Sequence, residues 1–197
     1  MIEPAFTMGE VEKILDVKNF IKAKTADFVL TIRKIGMQAD IDFYVTGGCT
    51  ASLLQGEKPK DIDVYFCSPI IAEKVVSLYK SESYKNEVAV FNEKYRDTEI
   101  GKLVITENAM TLKNGIQIIF KHHGVPDVLR KTFDYVHWLP YYSPVGDKFY
   151  ISREQYDCCV NKILKNNRPG TQPAGWREQK FLARGYKYVS VSSTEHS

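Results

Sequence analysis

Apolar residues recur at Val11, Ile14, Leu15, Phe20, Ile21, Phe28, Val29 and Ile32, with charges such as Glu12, Lys13, Lys22 and Lys24 on other faces. That rhythm is approximately helical. Thr7-Met8-Gly9-Glu10, just ahead of it, has the form of a capping box. Together they predict one long helix, or two shorter ones, ending near Gly36. The pattern then shortens. Phe43-Tyr44-Val45-Thr46 predicts a strand stopped by Gly47-Gly48. A short helix follows over 51–54, a turn over 56–60 and a second strand over 62–66. Ser68-Pro69 reads as an N-cap followed by proline at the first helical position. It opens a helix to about Lys80, with Ile70, Ile71, Val75, Val76 and Leu78 as its apolar candidates.

The middle of the chain is strand-like over 88–91, 102–106, 110–113 and 116–120, with Asn114-Gly115 as a hairpin turn. Residues 133–139 predict a further strand. Ser152-Arg153-Glu154-Gln155 is a second capping box, opening a helix to about Lys165. The run 166–175, with Asn-Asn-Arg-Pro-Gly and Gln-Pro-Ala-Gly, is a loop. Residues 176–184 predict a terminal helix with Gly185 as its C′ residue, and 190–197 a polar, frayed tail. The organisation read from this is a domain over 1–151 that includes the N-terminal helix, a helical extension over 152–189, and a flexible tail over 190–197. There is no internal repeat and no low-complexity tract.

Composition adds little to that picture. The 197 residues are 44% hydrophobic and 26% charged, ordinary for a soluble globular chain. A net charge of +3 permits a polyanionic partner without demanding one. Cys49, Cys67, Cys158 and Cys159 lack C-x-x-C spacing, which argues against a disulfide framework or zinc site and for a reducing compartment. No apolar run approaches the length of a membrane span and no signal pattern opens the chain. The expected location is cytoplasmic, the host cytoplasm where the chain is phage-encoded.

The candidate chemistry lies in Gly47-Gly48-Cys49-Thr50-Ala51-Ser52-Leu53-Leu54-Gln55-Gly56-Glu57-Lys58-Pro59-Lys60-Asp61-Ile62-Asp63-Val64. Two glycines at a strand end allow close backbone approach to a phosphate. They open a helix whose free N–H groups favour an anion. Asp61 and Asp63, at i and i+2 of a strand, point to one face. Magnesium prefers such hard oxygen ligands, completed by substrate phosphates. Asp61 and Asp63 are therefore the candidate catalytic and metal-binding residues, for Mg2+ or Mn2+. Gly47 and Gly48 are the candidate phosphate cradle, with Thr50 adding a hydroxyl and Lys60 a positive charge.

This segment resembles the nucleotidyltransferase superfamily that includes DNA polymerase beta, poly(A) polymerase and CCA-adding enzymes. It is similar to the CCA-adding pattern of two glycines, a Leu-Leu-x-Gly helix end and Lys-Asp-x-Asp. Ile116-Gln117-Ile118-Ile119-Phe120, Pro126, Phe133-Asp134-Tyr135 and Arg184-Gly185-Tyr186 are similar to nucleotidyltransferase-like proteins of large viruses and tailed phages. The resemblance spans about residues 41 to 186. It implies an α+β fold: a nucleotidyltransferase-like mixed β-sheet with helices packed on one face, plus C-terminal helices. It also implies transfer of an NMP from an NTP to a hydroxyl acceptor. Two positions depart from the pattern. Ala51 and Ser52 stand where CCA-adding enzymes carry arginine and aspartate. Gln117 stands in the slot of the third carboxylate. Gln117 becomes a nucleotide-binding candidate and Asp134 the candidate third carboxylate, with Glu107 and Glu99 behind it.

The remaining features have plainer readings. Adjacent His122 and His123 would point to opposite faces of a strand, so they read as loop or surface residues rather than ligands of one ion. Cys49 reads as a small packing residue, with a reactive thiol at a helix N-terminus as the alternative. Lys162, Lys165, Arg168, Arg177, Lys180, Arg184 and Lys187, interleaved with Trp176, Phe181, Tyr186 and Tyr188, could grip an RNA acceptor. The favoured reading is an amphipathic helix that packs its aromatics and solvates its charges. Function divides between a magnesium-dependent nucleotidyltransferase acting on an RNA end, protein or small molecule and an inactive nucleotide- or nucleic-acid-binding module of the same fold. A toxin- or antitoxin-like regulator that modifies a protein is a third reading. No membrane partner is expected, and oligomeric state is left open.

Overall fold

A computed structural model of the chain describes residues 5–34, 43–81, 83–84 and 108–188. The strands expected over 88–91 and 102–106, Glu99, Glu107 and the 190–197 tail lie outside these residues. Helix α1 (Met8–Lys34) opens on the predicted capping box. Glu10 N donates to Thr7 Oγ1 at 3.3 Å, and Thr7 N to Glu10 Oε2 at 2.8 Å. Its buried stripe is Val17, Ile21, Thr25, Phe28, Thr31 and Ile32, spaced by threes and fours. Leu15 lies off that stripe and is 45% exposed.

Next come β1 (Phe43–Thr46), α2 (Gly48–Leu54), β2 (Ile62–Phe66) and α3 (Pro69–Lys80). Proline begins α3 as expected, but Ser68 makes no side-chain cap bond. The chain continues through β3 (Ala109–Thr111), β4 (Ile116–Ile119), the single turn α4 (Pro126–Leu129), β5 (Tyr141–Ser143), β6 (Lys148–Tyr150), α5 (Arg153–Val160) and α6 (Gly175–Leu182). Among the described residues, six strands form one mixed sheet in the order β3-β4-β2-β1-β5-β6. Only β2 and β4 run parallel; the other neighbours are antiparallel.

Strand alternation sorts the side chains into two unlike faces. Phe43, Val45, Val64, Phe66, Ile116 and Ile118 turn to a face covered by α1 and α3, where they join Ile21, Phe28, Ala72, Val75 and Tyr79 in the main core. Phe28 alone meets Phe43, Phe66 and Tyr79, with ring centroids 5.4–6.4 Å apart. Tyr156 and Cys159 of α5 belong to the same core. Glu10 ties α5 to α1 by accepting two bonds from the Arg153 guanidinium, both at 2.7 Å. The other face carries Tyr44, Asp63, Tyr65, Gln117 and Tyr141, in register across the strands.

That second face corrects the expectation of helices on one side only. Residues 124–138 and α6 lie over it. Tyr44 OH donates to Gly124 O at 2.9 Å, Arg130 sits 4.6 Å over the Tyr141 ring, and Tyr65 meets Phe133 at 5.7 Å. Nor is 133–139 a strand. It holds a 3-10 turn, Val136–Trp138, and joins residues 165–167 instead of a sheet. Val136 N donates to Lys165 O, and Asn167 N to Asp134 O. Tyr135, Val136 and His137 are buried in succession, which no half-exposed strand allows. Helix α5 stops at Val160 rather than near 165, because Lys162 takes a left-handed φ of 52° and Ile163 turns to bridge Lys187. Among the described residues, no helix is long and apolar enough to cross a membrane.

Candidate functional site

The turn from β1 into α2 is fixed by Gly47. Its φ of 92° and ψ of −150° fall in a region essentially reserved for glycine. A Cβ here would also stand 3.3 Å from Asp63 Oδ2. Two independent demands, backbone conformation and close approach to a carboxylate, thus meet at one residue. Thr50 corrects an expectation. Its hydroxyl is fully buried and donates to Gly47 O at 2.8 Å, so it braces the turn from within instead of facing a phosphate.

Asp63 and Gln117 face each other in register across the parallel pair β2 and β4. Gln117 Nε2 donates to Thr111 Oγ1 at 3.1 Å, which leaves its amide oxygen as the group with acceptor capacity beside Asp63. Asp61 precedes β2 with its side chain 29% exposed. Burial pushes the Asp63 carboxyl up to about 7, the Asp61 charge adds to the rise, and Lys180 opposes it. Lys60 stands beside Asp61, at 4.0 Å, but its side chain is 91% exposed and points its charge to solvent. Cys49 is buried, its thiol 3.7 Å from Thr46 O and pushed up by burial, which makes it a packing residue.

Above Asp63 opens a cleft of about 750 Å³. Gly47, Gly48, Asp63 and Tyr65 form its floor. Lys121, His122 and His123, exposed on the loop after β4, also line it. Arg168, Arg177, Lys180 and Arg184, with Trp176 and Trp138, make its cationic wall. The basic C-terminal segment therefore does two things. Phe181 and Tyr186 pack inward with Tyr135 and Leu164, as the amphipathic reading requires. Four of its cations, however, line the same cleft as Asp63, with Arg168, Lys180 and Arg184 still exposed. The signal was present in the sequence: 177, 180 and 184 follow helical spacing. Tyr65, two residues beyond Asp63 on the same strand face, was equally open to inference.

Asp134, the sequence candidate for a third carboxylate, lies in this cleft among cations. Its side chain is 9% exposed and pairs with Arg177, with Arg168 at 3.9 Å. Among the described residues, no group of three or more His, Cys, Asp or Glu gathers to hold a metal ion. Asp61 and Asp63, with the neutral Gln117 oxygen alongside, remain a hard-oxygen set suited to one divalent cation that draws its other ligands from phosphate and water. The desolvated, like-charged state of Asp63 is the strain a cation would relieve.

The architecture is similar to that of solved nucleotidyltransferases. The Thermotoga maritima CCA-adding enzyme complexed with tRNA shares it at a TM-score of 0.56 and 15% identity, over 84% of this chain and 39% of that one. A CCA-adding enzyme in its second apo form matches at a TM-score of 0.53 and 13% identity, over 84% and 42%. The chain thus spans about two fifths of the length of these enzymes, and at such identity the likeness is one of fold. No curated protein matches the sequence. The model of Gabija anti-defense 2 (Gad2) family proteins matches residues 17–161, a span that contains α2, β2, β4 and both aspartates, and the chain belongs to that family.

Proposed function

We propose that this chain is a nucleotide-binding protein of nucleotidyltransferase fold that acts against Gabija defence, with a nucleoside triphosphate seated in the cleft. The observation that carries the reading is the pairing of a carboxylate floor, Asp63 beside Gln117, with a wall of cations in a single cleft. Asp61 and Asp63 would hold magnesium or manganese, which neutralises triphosphate charge when bound. Gly47 lets the backbone approach closely, and Arg177, Lys180 and Arg184 supply donors to phosphate oxygens.

Transfer of an NMP to a hydroxyl acceptor is the second reading. It is favoured by the retention of both aspartates on one strand face. Gln117 weakens it, since an amide neither carries charge nor accepts a proton as a general base. The acceptor classes are an RNA end, a protein side chain or a small molecule. Of these, the tRNA in the related enzyme's complex favours nucleic acid.

The test is calorimetric binding of each of the four NTPs with magnesium, alongside label transfer from the same NTPs to total RNA and to protein. Wild-type binding that Asp63→Asn weakens at least about a hundredfold, the scale of a lost charged ligand, supports the binding protein. Label transfer abolished by Asp61→Asn and Asp63→Asn supports the transferase. Suppression of Gabija defence should fall with the same substitutions. Wild type that binds no NTP in magnesium or manganese removes both readings.

A further inference from the structure

The carboxylate that sequence pattern offered as a metal ligand has a different setting. Asp134 is almost fully buried, and its Oδ2 accepts from Arg177 Nη1 while Oδ1 lies 3.9 Å from Arg168 Nη1. The backbone beneath it is stapled from the other side. Asn167 N donates to Asp134 O at 2.7 Å, and Asn167 Nδ2 donates to Arg130 O at 3.0 Å and Phe133 O at 2.9 Å. Arg177 is also held by rings: its guanidinium lies 5.1 Å from the Trp176 ring and 6.0 Å from that of Trp138. Despite these contacts its side chain stays 41% exposed, within the cleft. A guanidinium has five N–H donors in a rigid plane, and one carboxylate does not exhaust them.

Resting on the nucleotide-binding reading above, we infer that Arg177 grips a phosphate oxygen of the bound nucleotide and that Asp134 is its positioning residue. Two guanidiniums share one carboxylate, so the cluster keeps a net positive charge toward the cleft. The bond to Asp134 sets the direction of the guanidinium, with the two indoles beside it at 5.1 and 6.0 Å. The floor then addresses the nucleotide with carboxylates and the wall with a cation of fixed direction. An ammonium could supply the charge but neither the planar stacking nor the simultaneous bond to Asp134.

The experiment uses the full chain, magnesium, ATP and inorganic triphosphate, with affinity read by calorimetry and folding by near-UV circular dichroism. Arg177→Ala should weaken both ligands about tenfold to a hundredfold, the range of one charge-assisted hydrogen bond. Arg177→Lys should fail to restore them. Asp134→Asn should weaken both although the arginine remains, and should leave the midpoint of the magnesium titration where it is in wild type; Asp63→Asn should move it. Full ATP affinity in folded Asp134→Asn would overturn the positioning role. A shifted magnesium midpoint in that variant would return Asp134 to the metal and overturn it as well. Should Asp134→Asn fail to fold, unchanged affinity in Arg177→Ala still refutes the phosphate contact. Wild type that binds neither ligand refutes this inference together with the proposed function, whereas wild-type binding with indifferent variants refutes this inference alone.

Discussion

The floor and the cationic wall of the cleft are built by opposite means. The floor comes mostly from residues 47–65, the turn after β1, α2 and β2, with Gln117 added from the neighbouring strand β4, and it is backed by the main core. The wall is brought from residues 134–138 and 168–184, and rests on a small cluster of Tyr135, Leu164, Phe181 and Tyr186 with Trp138 against it. The floor is rigid because strand ladders and a large apolar face hold it. The wall depends on a few aromatic contacts, on local bonds such as Leu164 N to Lys187 O and Lys187 N to Lys162 O, and on ties to the floor from Gly47 N and Thr46 Oγ1 to Trp138 O and from Gln55 Nε2 to Tyr186 OH. A cleft made this way has one jaw backed by the main core and one resting on a small satellite cluster, where local opening is expected to cost less.

The sharpest way to break that comparison is Phe181→Ala. Phe181 is 4% exposed and meets the rings of Tyr135, His137, Trp138 and Tyr186. Truncating such a buried ring costs about 3–5 kcal/mol. The loss should fall on the wall: hydrogen exchange should show amides of 175–188 losing protection while β1 and β2 keep theirs. Equal loss in both regions would mean that the two jaws unfold as one unit.

The same division explains what could be read from the sequence. Gly47-Gly48, Asp61 and Asp63 announce themselves because their geometry is local: a strand end, a turn, then an i, i+2 pair. The capping boxes at Thr7 and Ser152 were legible for the same reason. Asp134 was not, because its role depends on Arg177, forty-three positions away. Residues 133–139 look like a strand by composition. Their backbone partners lie in 165–167, and a one-dimensional pattern cannot show a buried non-sheet partner. Thr50 has the right chemistry for a phosphate, and only the fold shows its proton given to Gly47 O.

On the floor, Gly47→Ala is the next largest effect. Forcing a Cβ into a conformation reserved for glycine costs about 1–3 kcal/mol, and the new methyl would press on Asp63 from 3.3 Å. Chemical denaturation should show a lower midpoint with an unchanged slope. NTP affinity should fall beyond what the stability loss explains, since the carboxylate is displaced. Gly48→Ala is the control, because nothing among the described residues lies within 4 Å of its Cβ position. A Gly47→Ala protein with wild-type midpoint and affinity would show that the close approach is incidental.

The finest distinction between the jaws is their response to acid, where they oppose each other. His137, in the wall, is fully buried, neither ring nitrogen has a hydrogen-bond partner among the described residues, and burial holds it down at about 3. Unfolded, it takes up a proton near 6.5, so its contribution to stability is present above 6.5 and is lost as pH falls toward 3. Asp63, on the floor, is raised from 3.8 to about 7. Its unfolded form gives up a proton that the folded form keeps, so its contribution is present below 3.8 and is lost as pH rises toward 7. Each group can tilt stability by at most about 1.4 kcal/mol per pH unit. With both in place the tilts largely cancel between pH 4 and 6.5. In metal-free buffer, Asp63→Asn should therefore expose the slope of the wall, with thermal midpoints that climb from pH 4 to 6.5 more steeply than those of wild type. His137→Phe should do the reverse and leave stability that declines over the same interval. Parallel pH profiles in the two variants would show that neither burial sets a pKa in the way the geometry requires. Added magnesium should flatten the His137→Phe profile, steepen that of wild type and leave that of Asp63→Asn unchanged, since a bound cation favours the carboxylate and removes the floor's tilt without touching the wall's.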